Sequence, residues 1–298
     1  MLWFPLDMDN RPDIAILGPG TVGTAIGVLA ARAGWTVAAV GGRDAARARQ
    51  AAKAIGHGAK ACTLHEAAGA AGLVLLTVSD DAIAAVCDEL ADGFRRGAVV
   101  AHCSGALGSE ALASARARRC AVGSMHPLQT FPSVEAAVGA MTGAYCFIEG
   151  DAAAVAALER LARDIGGRPV PIASSAKPLY HAAAVVACNY LAALVDAASA
   201  LCGRAGIDEP TGRAALGPLV RATLENVLAA GPAAALTGPI ARGDAATVRR
   251  HLEALAGGER DLDELYRAMG RWTVELALRK GTIDAPKAAA LRGLLDER

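Results

Sequence analysis

At 298 residues the chain is long enough to form two domains, each with its own hydrophobic core. Its composition, 53% hydrophobic and 20% charged, is typical of a folded globular protein and excludes an intrinsically disordered one. The 30 basic and 30 acidic residues cancel, and no basic run stands out, which argues against nucleic acid or an acidic membrane surface as a partner.

Cysteine usage and the N-terminal residues bear on the compartment. The seven cysteines are an odd number without a CxxC pair, which is typical of reduced thiols in a cytoplasm. Residues 1–10 lack the basic region of a secretory signal peptide. The longest nonpolar stretch, 179–203, is interrupted by His181, Asn189 and Asp196, so we interpret it as a buried helix rather than a membrane span. We therefore expect a cytoplasmic protein.

The first predicted elements are a strand, a glycine-rich turn and a helix. A short apolar run ends in Gly18-x-Gly20-x-x-Gly23, an Ala-rich helical stretch follows, and a second strand is predicted at 36–40. Gly18 permits the tight turn, Gly20 lets the backbone approach a pyrophosphate, and Gly23 lets the helix pack against the strand. The free N–H groups of that helix face the phosphates. This order favours a dinucleotide site over an ordinary glycine turn, and the predicted contacts are Gly18, Gly20, Thr21, Val22 and Gly23.

The end of the second strand bears on the choice of cofactor. Sites that prefer NAD place an acidic residue there to bind the ribose 2′-hydroxyl. Here Gly42 takes that position, and it is followed by Arg43, whose planar guanidinium suits a 2′-phosphate. Asp44 is expected to cap the next helix rather than to replace the missing acid. We therefore predict NADP as the cofactor, with NAD less favoured, and assign Gly42 and Arg43 to its binding.

Strand-like and helical runs alternate only through the first part of the chain. Further strands are predicted at 73–78, 98–102, 121–125, 145–149 and 169–172. Their continuous apolar runs are typical of a parallel sheet that helices cover on both faces. After Ser174 only helical segments follow, with Asp208, Asp244 and Asp284 as N-cap signals. The sequence therefore predicts an α/β chain: an NADP-binding Rossmann parallel-sheet domain, 1–173, and an all-helical substrate-binding and dimerisation domain, 174–298.

A short polar segment follows the predicted strand 73–78. In open α/β folds, ligands bind at the carboxyl ends of the strands. Val78 and Ser79 are therefore predicted cofactor contacts. Asp80 or Asp81 is expected to cap the helix that follows, because short acidic side chains accept hydrogen bonds from the free N–H groups of a helix.

The next strand ends in His102, Cys103 and Ser104. Neighbouring residues of a strand point to opposite faces, so His102 and Cys103 are not expected to form a catalytic pair. Ser104 is a candidate contact to the substrate or to the nicotinamide ribose. A turn serine that serves the local backbone is an equal alternative.

Three more residues are candidates for proton transfer or substrate binding. His126, held by the following Pro127, is placed for proton transfer at neutral pH, and a structural histidine is an equal alternative. Lys177 and His181 lie four residues apart on one face of the first long helix, at the domain junction where a substrate cleft is expected. A solvated helix-end lysine is the alternative for Lys177. No HExxH or paired-cysteine spacing occurs, so no metal site is predicted.

Taken together, these motifs resemble a bacterial two-domain family in which a Rossmann-like domain precedes a DUF2520-type domain of unknown function. The matching segments are 18–23, 78–81, 102–106, 126–131, 180–181 and 236–244. Members of this family are usually described as candidate oxidoreductases. The resemblance spans both predicted domains and implies a dinucleotide-linked redox activity without naming a substrate.

A more distant similarity is to pyrroline-5-carboxylate reductase and to the 6-phosphogluconate, 3-hydroxyisobutyrate and prephenate dehydrogenases. In these families a helical domain follows the Rossmann domain and commonly builds a dimer. Ser104 and His126-Pro127 are similar in placement to the Ser and His-Pro of prephenate dehydrogenases, where the His contacts the substrate hydroxyl, so the resemblance implies such a contact for His126. It also implies an acid/base role for Lys177. The hydroxyacid dehydrogenases have an Asn one helical turn later, where this chain has His181, and this difference leaves the mechanism open.

We therefore expect an NADP-dependent oxidoreductase that moves hydride to or from a small carbonyl, hydroxyl or imine compound. His126 or Lys177 is expected to exchange the proton, and Ser104 and His181 are expected to orient the substrate. A deazaflavin-linked NADP oxidoreductase and a non-catalytic NADP-sensing regulatory dimer are the alternatives. Because the first long helix is apolar around most of its circumference, we also expect a homodimer formed through the C-terminal helices.

Overall fold

The structure, a computed structural model, describes residues 11–297. Their internal contacts divide them into two compact units, one that ends at Asn189 and one that begins at Tyr190. We refer to these as the sheet unit and the helical unit. The α/β class is confirmed: strands alternate with helices up to Pro171, and only helices follow. The assignment of separate functions to 1–173 and 174–298 stays a prediction.

The sheet unit is built on a single sheet. Its strands within the described residues are β1 (Ile14–Leu17), β2 (Val37–Gly41), β3 (Lys60–Cys62), β4 (Leu73–Leu76), β5 (Val99–His102), β6 (Ala121–Pro127), β7 (Tyr145–Gly150) and β8 (Arg168–Pro171). They lie in the order β3-β2-β1-β4-β5-β6-β7-β8. The predicted strands are found within a few residues of their predicted bounds, and β3 is an addition to them. The strand predicted at 73–78 ends early, because Thr77 turns to bond the loop after β1.

The helices alternate with these strands and then follow one another. The sheet unit contains α1 (Thr21–Arg32), α2 (Ala45–Ile55), α3 (Leu64–Ala68), α4 (Ile83–Leu90), α5 (Ala113–Ala117), α6 (Val134–Met141) and α7 (Ala152–Asp164). Helix α8 (Lys177–Arg204) runs through the division between the units. The helical unit continues with α9 (Glu209–Ala230), α10 (Pro232–Ala235), α11 (Pro239–Arg242), α12 (Ala245–Leu255), α13 (Arg260–Lys280) and α14 (Ala285–Asp296).

The central strands are covered on both faces. All four residues of β1 are fully buried, and they alternate between two cores. Ile14 and Ile16 pack into one core, whereas Ala15 and Leu17 pack into the other. Because successive side chains of a strand point to opposite faces, a continuous apolar run is what a sheet between two helical layers requires. This explains why the apolar runs predicted the strands correctly.

The sheet is not parallel throughout, which corrects our expectation of a parallel sheet. Strands β6 and β7 are antiparallel, while the other neighbouring pairs are parallel. Strand β7 begins beside the end of β6, where the Leu128 N–H donates to the Tyr145 carbonyl at 2.8 Å, so the chain returns in the opposite direction. In the resulting register Ser124 lies directly opposite Glu149. This pairing matters for the candidate site.

The helical unit has its own core beneath α12, α13 and α14. Val248, Leu252, Val274, Leu291 and Leu295 are among its buried members. The predicted N-cap signals are confirmed, since the carboxylates at positions 208, 244 and 284 each accept a hydrogen bond from a first-turn N–H of the following helix. These local contacts set the helix starts independently of the core.

Helix α8 is expected to be buried with a second subunit contributing, and this stays a prediction. Among its residues only Lys177 is buried, while Leu179, Val186 and Tyr190 are 79%, 59% and 56% exposed. Within the described residues, 174–204 is also the one helical stretch long and apolar enough to cross a membrane, with a mean hydropathy of 1.7. Length and composition alone are weak indicators, because buried helices of water-soluble proteins share them. The apolar surface of α8 is therefore left uncovered by this chain.

Candidate active site

The glycine turn after β1 has one position that faces open space. Gly18 has a φ of +109°, and a Cβ there would lie 2.8 Å from the Val78 nitrogen. A Cβ on Gly23 would collide with the Thr77 side chain and approach Ile16 Cγ2 to 2.9 Å. A Cβ on Gly20, however, would meet only the Thr77 carbonyl oxygen, at 3.9 Å. The protein itself thus requires two of the glycines, and the third leaves room for a ligand beside the backbone.

The N-terminus of α1 faces the same turn and has its N–H groups free. Within residues 11–297 no side chain caps the helix at Gly20, and its first turn contains no acidic residue. The first N–H groups of a helix have no partner within the helix, and they carry the positive end of its dipole. The Gly20 carbonyl accepts a hydrogen bond from the Thr24 N–H at 3.0 Å, which is the first bond of the helix. Together with the space at Gly20, this arrangement fits the diphosphate of a dinucleotide.

At the end of β2 the predicted cap is confirmed. Asp44 Oδ1 accepts from the N–H groups of Ala46 and Arg47 at 2.8 and 3.1 Å, and these bonds lower the pKa of the carboxyl. Gly42 packs against the glycine turn, since a Cβ there would lie 2.8 Å from Pro19 Cδ. Arg43 is exposed. Asp44 therefore serves as the cap of α2, and Arg43 is the charged side chain available to a ligand at the end of β2.

The loop after β4 connects the glycine turn to the next strand. Thr77 Oγ1 donates to the Gly18 carbonyl at 2.7 Å, which joins the two loops. Val78 is half-buried and Ser79 is exposed, so both border this joint. The expected cap from Asp80 or Asp81 is wrong, because neither the 3₁₀ turn here nor α4 has a side-chain cap. Asp80 instead accepts a hydrogen bond from a residue of the next loop.

That residue is Ser104, in the turn after β5. Its hydroxyl donates to Asp80 Oδ2 at 2.6 Å and accepts from the N–H groups of Ala106 and Leu107 at 3.2 and 3.0 Å. One donor and two acceptor positions are all that a hydroxyl has. The hydroxyl thus serves the turn, which is the alternative that the sequence left open. A direct contact between Ser104 and a substrate stays a prediction.

His102 and Cys103, which precede this turn, make separate contacts. His102 Nε2 lies 3.0 Å from the Gly108 carbonyl, and its Nδ1 accepts from the Ser104 N–H at 3.2 Å. Burial lowers the pKa of His102, so its ring is neutral and holds the loop. Burial raises the pKa of Cys103 to about 12, which leaves an unreactive thiol. The two side chains make no catalytic pair.

Two histidines and a tyrosine meet around Gly105. His126 Nδ1 lies 2.8 Å from Tyr180 Oη, and the His126 ring is T-shaped to Tyr180 and to His181 at 5.7 and 5.8 Å. A Cβ on Gly105 would lie 2.9 Å from His126 Nε2 and 2.6 Å from His181 Nδ1. We refer to His126, Tyr180 and His181 as the histidine cluster. Only a glycine allows both ring nitrogens to approach this point of the backbone.

The ionisation of the cluster follows from its surroundings. Burial lowers the pKa of His126 to about 4, and the charges of Lys177 and His181 act in the same direction. Burial raises the pKa of Tyr180 to about 12, so this phenol keeps its proton. With the phenol as donor to Nδ1, the neutral His126 ring carries its proton on Nε2. His181 Nδ1 is buried and has no hydrogen-bond partner among the described residues.

Lys177 is buried, so the alternative of a solvated helix-end lysine is wrong. Its side chain is 1% exposed. Its Nζ donates to the Ser104 carbonyl at 2.8 Å and to Ser124 Oγ at 2.6 Å. Ser124 in turn donates to Glu149 Oε1 at 2.6 Å. As the four-residue spacing predicted, Lys177 and His181 share a helix face, and that face lies over residues 104–105.

Sequence reasoning missed several of these partners. Tyr180 entered only through a family resemblance, and neither Ser124 nor Glu149 was singled out. A signal existed for Glu149, since it is a carboxylate that ends an otherwise apolar strand-like run. The bond of Asp80 to Ser104 had no such signal, because both residue types are common helix caps. Among residues 11–297 no group of three or more His, Cys, Asp or Glu side chains is placed to hold a metal ion.

Two family models match the chain, and together they describe a nucleotide-binding fold joined to a helical region. Residues 7–127 match the Rossmann-like domain, and residues 144–273 match the domain of unknown function DUF2520. The chain therefore carries a Rossmann-like domain followed by a DUF2520 domain. This confirms the resemblance that the motifs indicated. No curated protein sequence matches the chain.

Solved structures share the fold over most of the chain. A Bacteroides fragilis protein described as a candidate NADP oxidoreductase is 25% identical, with a TM-score of 0.73 over 89% of this chain and 98% of its own. A reductive aminase from Aspergillus terreus, solved with NADPH, is 18% identical, with a TM-score of 0.58 over 96% and 93%. A pyrroline-5-carboxylate reductase from Coxiella burnetii is 15% identical, with a TM-score of 0.57 over 97% and 100%. At these identities the last two show the fold alone.

Proposed function

We propose that this protein is an NADP-dependent oxidoreductase that transfers hydride to or from a small carbonyl, hydroxyl or imine compound. The observation that carries the proposal is the open space at Gly20 beside the uncapped N-terminus of α1. Thr77, in the loop after β4, donates a hydrogen bond to the glycine turn. Asp80, in the same loop, accepts one from Ser104, whose turn lies beside the histidine cluster. The similarity to the Bacteroides fragilis protein supports the same cofactor class.

The residues proposed to hold the cofactor lie at the ends of β1, β2 and β4. The backbone at Gly18, Gly20, Thr21, Val22 and Gly23 would bind the diphosphate. Arg43, beside Gly42, would bind the 2′-phosphate, because Asp44 is committed to capping α2. Val78 and Ser79 would border the cofactor at the next strand end. When bound, the cofactor supplies or accepts the hydride.

The histidine cluster is proposed to bind the reacting group of the substrate. A neutral His126 donates a hydrogen bond from Nε2, which suits an oxygen or nitrogen that gains electron density. Tyr180, as the donor to Nδ1, would hold the ring in that tautomer. His181, whose ring lies beside that of His126, is proposed to orient the substrate.

Lys177 is proposed to exchange the proton. An ammonium group has three N–H donors, and two are used by Ser104 and Ser124. The third is the group we assign to the exchange. Because the pKa of His126 is held at about 4, His126 is suited to donating a hydrogen bond rather than a full proton near neutral pH. Ser104 contributes through its carbonyl, which directs the lysine toward this turn.

Calorimetric titration with NADPH and NADH tests the cofactor assignment. We expect NADPH to bind more tightly than NADH. Arg43→Ala should weaken NADPH binding at least about tenfold, or 1.4 kcal/mol, and should change NADH binding far less. The control is Arg47→Ala, which removes a nearby exposed arginine that pairs with Asp44. Equal losses for the two cofactors would overturn the NADP assignment, and no heat with either cofactor would overturn the function.

We also propose that the protein is a cytoplasmic homodimer. The support is the exposed apolar surface of α8, which a second copy of the chain would bury. Light scattering at micromolar concentration, without detergent, tests this. A dimer is expected. A monomer would refute the homodimer, and a protein that stays in solution only with detergent would favour the membrane instead.

A further inference from the structure

The buried polar side chains of the sheet unit form one connected network around Lys177. It holds a buried cation, Lys177, and a buried carboxylate, Glu149, which are 1% and 7% exposed. Hydrogen bonds link four other buried polar residues to this pair: His102, Ser104, Ser109 and Ser124. A buried charge is costly unless it is paired and hydrogen-bonded. The hydrogen bonds of the network therefore offset the cost of burying Lys177 and Glu149.

Ser124 joins the two charges. It accepts from Lys177 Nζ at 2.6 Å and donates to Glu149 Oε1 at 2.6 Å. A hydroxyl has one proton to donate, so this connection has a defined direction, from the ammonium to the carboxylate. The antiparallel register of β6 and β7 places Ser124 directly opposite Glu149, which is why the two side chains meet.

Glu149 is held in place from a second side. Its Oε1 accepts from the Ser109 N–H at 2.8 Å, and its Oε2 accepts from Ser109 Oγ at 2.9 Å. Both carboxylate oxygens are therefore bonded, and the side chain has one orientation. The negative charge thus stays at a constant place with respect to Lys177.

Lys177 has opposing influences on its proton affinity. Burial lowers the pKa of its ammonium group, and the Glu149 carboxylate is the strongest influence in the other direction. Cys103, Asp80 and Glu110 act more weakly in that same direction. We propose that Glu149, acting through Ser124, is a positioning residue that keeps Lys177 Nζ protonated and directed toward the turn at Ser104. The role of Glu149 in catalysis rests on the proposed proton exchange by Lys177. Its effect on the protonation of Lys177 does not, because that is a property of the folded chain.

The pKa of Lys177 is measurable by NMR of the full-length protein labelled with ¹³C at lysine Cε. The chain has five lysines, and the Lys177 signal is the one lost in Lys177→Met. We expect Glu149→Gln to lower this pKa by about 1–3 units, and Ser124→Ala to lower it by less. The matched control is Glu135→Gln, which removes an exposed carboxylate in the first turn of α6. It should leave the pKa nearly unchanged.

Three results would overturn the proposal. One is an unchanged Lys177 pKa in folded Glu149→Gln, and another is a shift no larger than that of Glu135→Gln. If Glu149→Gln does not fold, as judged by circular dichroism, the Ser124→Ala shift decides. The third is a wild-type Lys177 that is already neutral at pH 7, which needs no variant.

The same variant separates this proposal from the proposed function. Once a substrate is found, the pH profile of single-turnover hydride transfer should move in Glu149→Gln by the same amount as the NMR pKa. If the NMR pKa moves and the profile does not, Glu149 controls Lys177 as proposed, and Lys177 does not exchange the catalytic proton. If both stay unchanged, the assignment of Glu149 is wrong.

Discussion

A histidine–tyrosine pair of nearly the same geometry occurs in each unit. In the sheet unit His126 Nδ1 lies 2.8 Å from Tyr180 Oη, with 5.7 Å between T-shaped rings. In the helical unit His251 Nδ1 lies 2.8 Å from Tyr266 Oη, with 5.8 Å between T-shaped rings. The surroundings differ, because His251 is exposed, whereas His126 is half-buried and close to the charge of Lys177.

The comparison shows that pair geometry alone does not make a site. Burial, helped by neighbouring charges, holds the pKa of His126 at about 4. His251 makes the same bond to a tyrosine on an exposed helix surface. Perturbed groups gather at functional sites because function needs tuned proton affinities. The sheet unit therefore contains the candidate site, and the helical unit supplies matched controls.

The largest effect is expected from breaking the buried network. Lys177→Met removes the cation and leaves Glu149 with a buried, unpaired charge, which costs about 3–5 kcal/mol of the free energy of unfolding. In the helical unit Arg213→Gln removes an exposed pair with Glu209 and should leave stability unchanged. Urea unfolding followed by circular dichroism measures both. Similar losses for the two variants would contradict the buried pairing.

The pH dependence of stability should distinguish the two histidines. The pKa of His126 falls from 6.5 to about 4 on folding, so the unfolded chain binds more protons in that range. The free energy of unfolding should therefore fall as the pH falls from 6.5 toward 4, by up to about 1.4 kcal/mol per pH unit. His126→Asn should remove this part of the dependence and His251→Asn should retain it. Urea unfolding across that range tests this, and superimposable curves for the two variants would refute it.

Two glycines that both tolerate a methyl group should differ in cofactor binding. Gly20→Ala in the sheet unit places its Cβ no closer than 3.9 Å to the protein, and at Gly217 in the helical unit nothing lies within 4 Å. We expect Gly20→Ala to keep its melting temperature, and Gly217→Ala to raise it, because alanine favours the interior of α9 more than glycine does. Gly20→Ala should weaken NADPH binding at least about tenfold, or 1.4 kcal/mol, because the methyl group occupies the space meant for the diphosphate. Titration calorimetry measures this, and undiminished NADPH binding would argue against the glycine-turn site.

The smallest effect is expected from removing each phenol oxygen. Tyr180→Phe leaves His126 Nδ1 unpaired in a half-buried place, which should cost about 1 kcal/mol. Tyr266→Phe should cost less, because the exposed His251 can bond to water instead. Thermal unfolding at one pH compares the two variants. A larger loss for Tyr266→Phe would contradict the assignment of the buried pair to the sheet unit.

Much of the fold was predictable because its signals are local. Gly18 and Gly23 are required by one turn, and Asp44 caps the helix that follows it directly. The apolar runs identified the strands, since each central strand is buried on both faces. Two expectations failed for the opposite reason: the direction of β7 and the partner of Asp80 each depend on segments remote in sequence.

The candidate site was predictable only in part. His126, Lys177 and His181 were identified by residue type and spacing, and the structure brings them to residues 104–105. Glu149, which lies opposite Ser124, could not be assigned without the register of β6 and β7. A one-residue change in that register would turn the carboxylate to the other face of the sheet.

By itself, the sequence determined the glycine turn, the helix starts and the alternation of strands and helices, because backbone conformation and side-chain periodicity act over a few residues. Only the tertiary structure decided that Lys177 is buried, that Glu149 faces it through Ser124, and that His126 is neutral. Burial and proton affinity depend on every group packed nearby, and those groups come from strands and helices far apart along the chain.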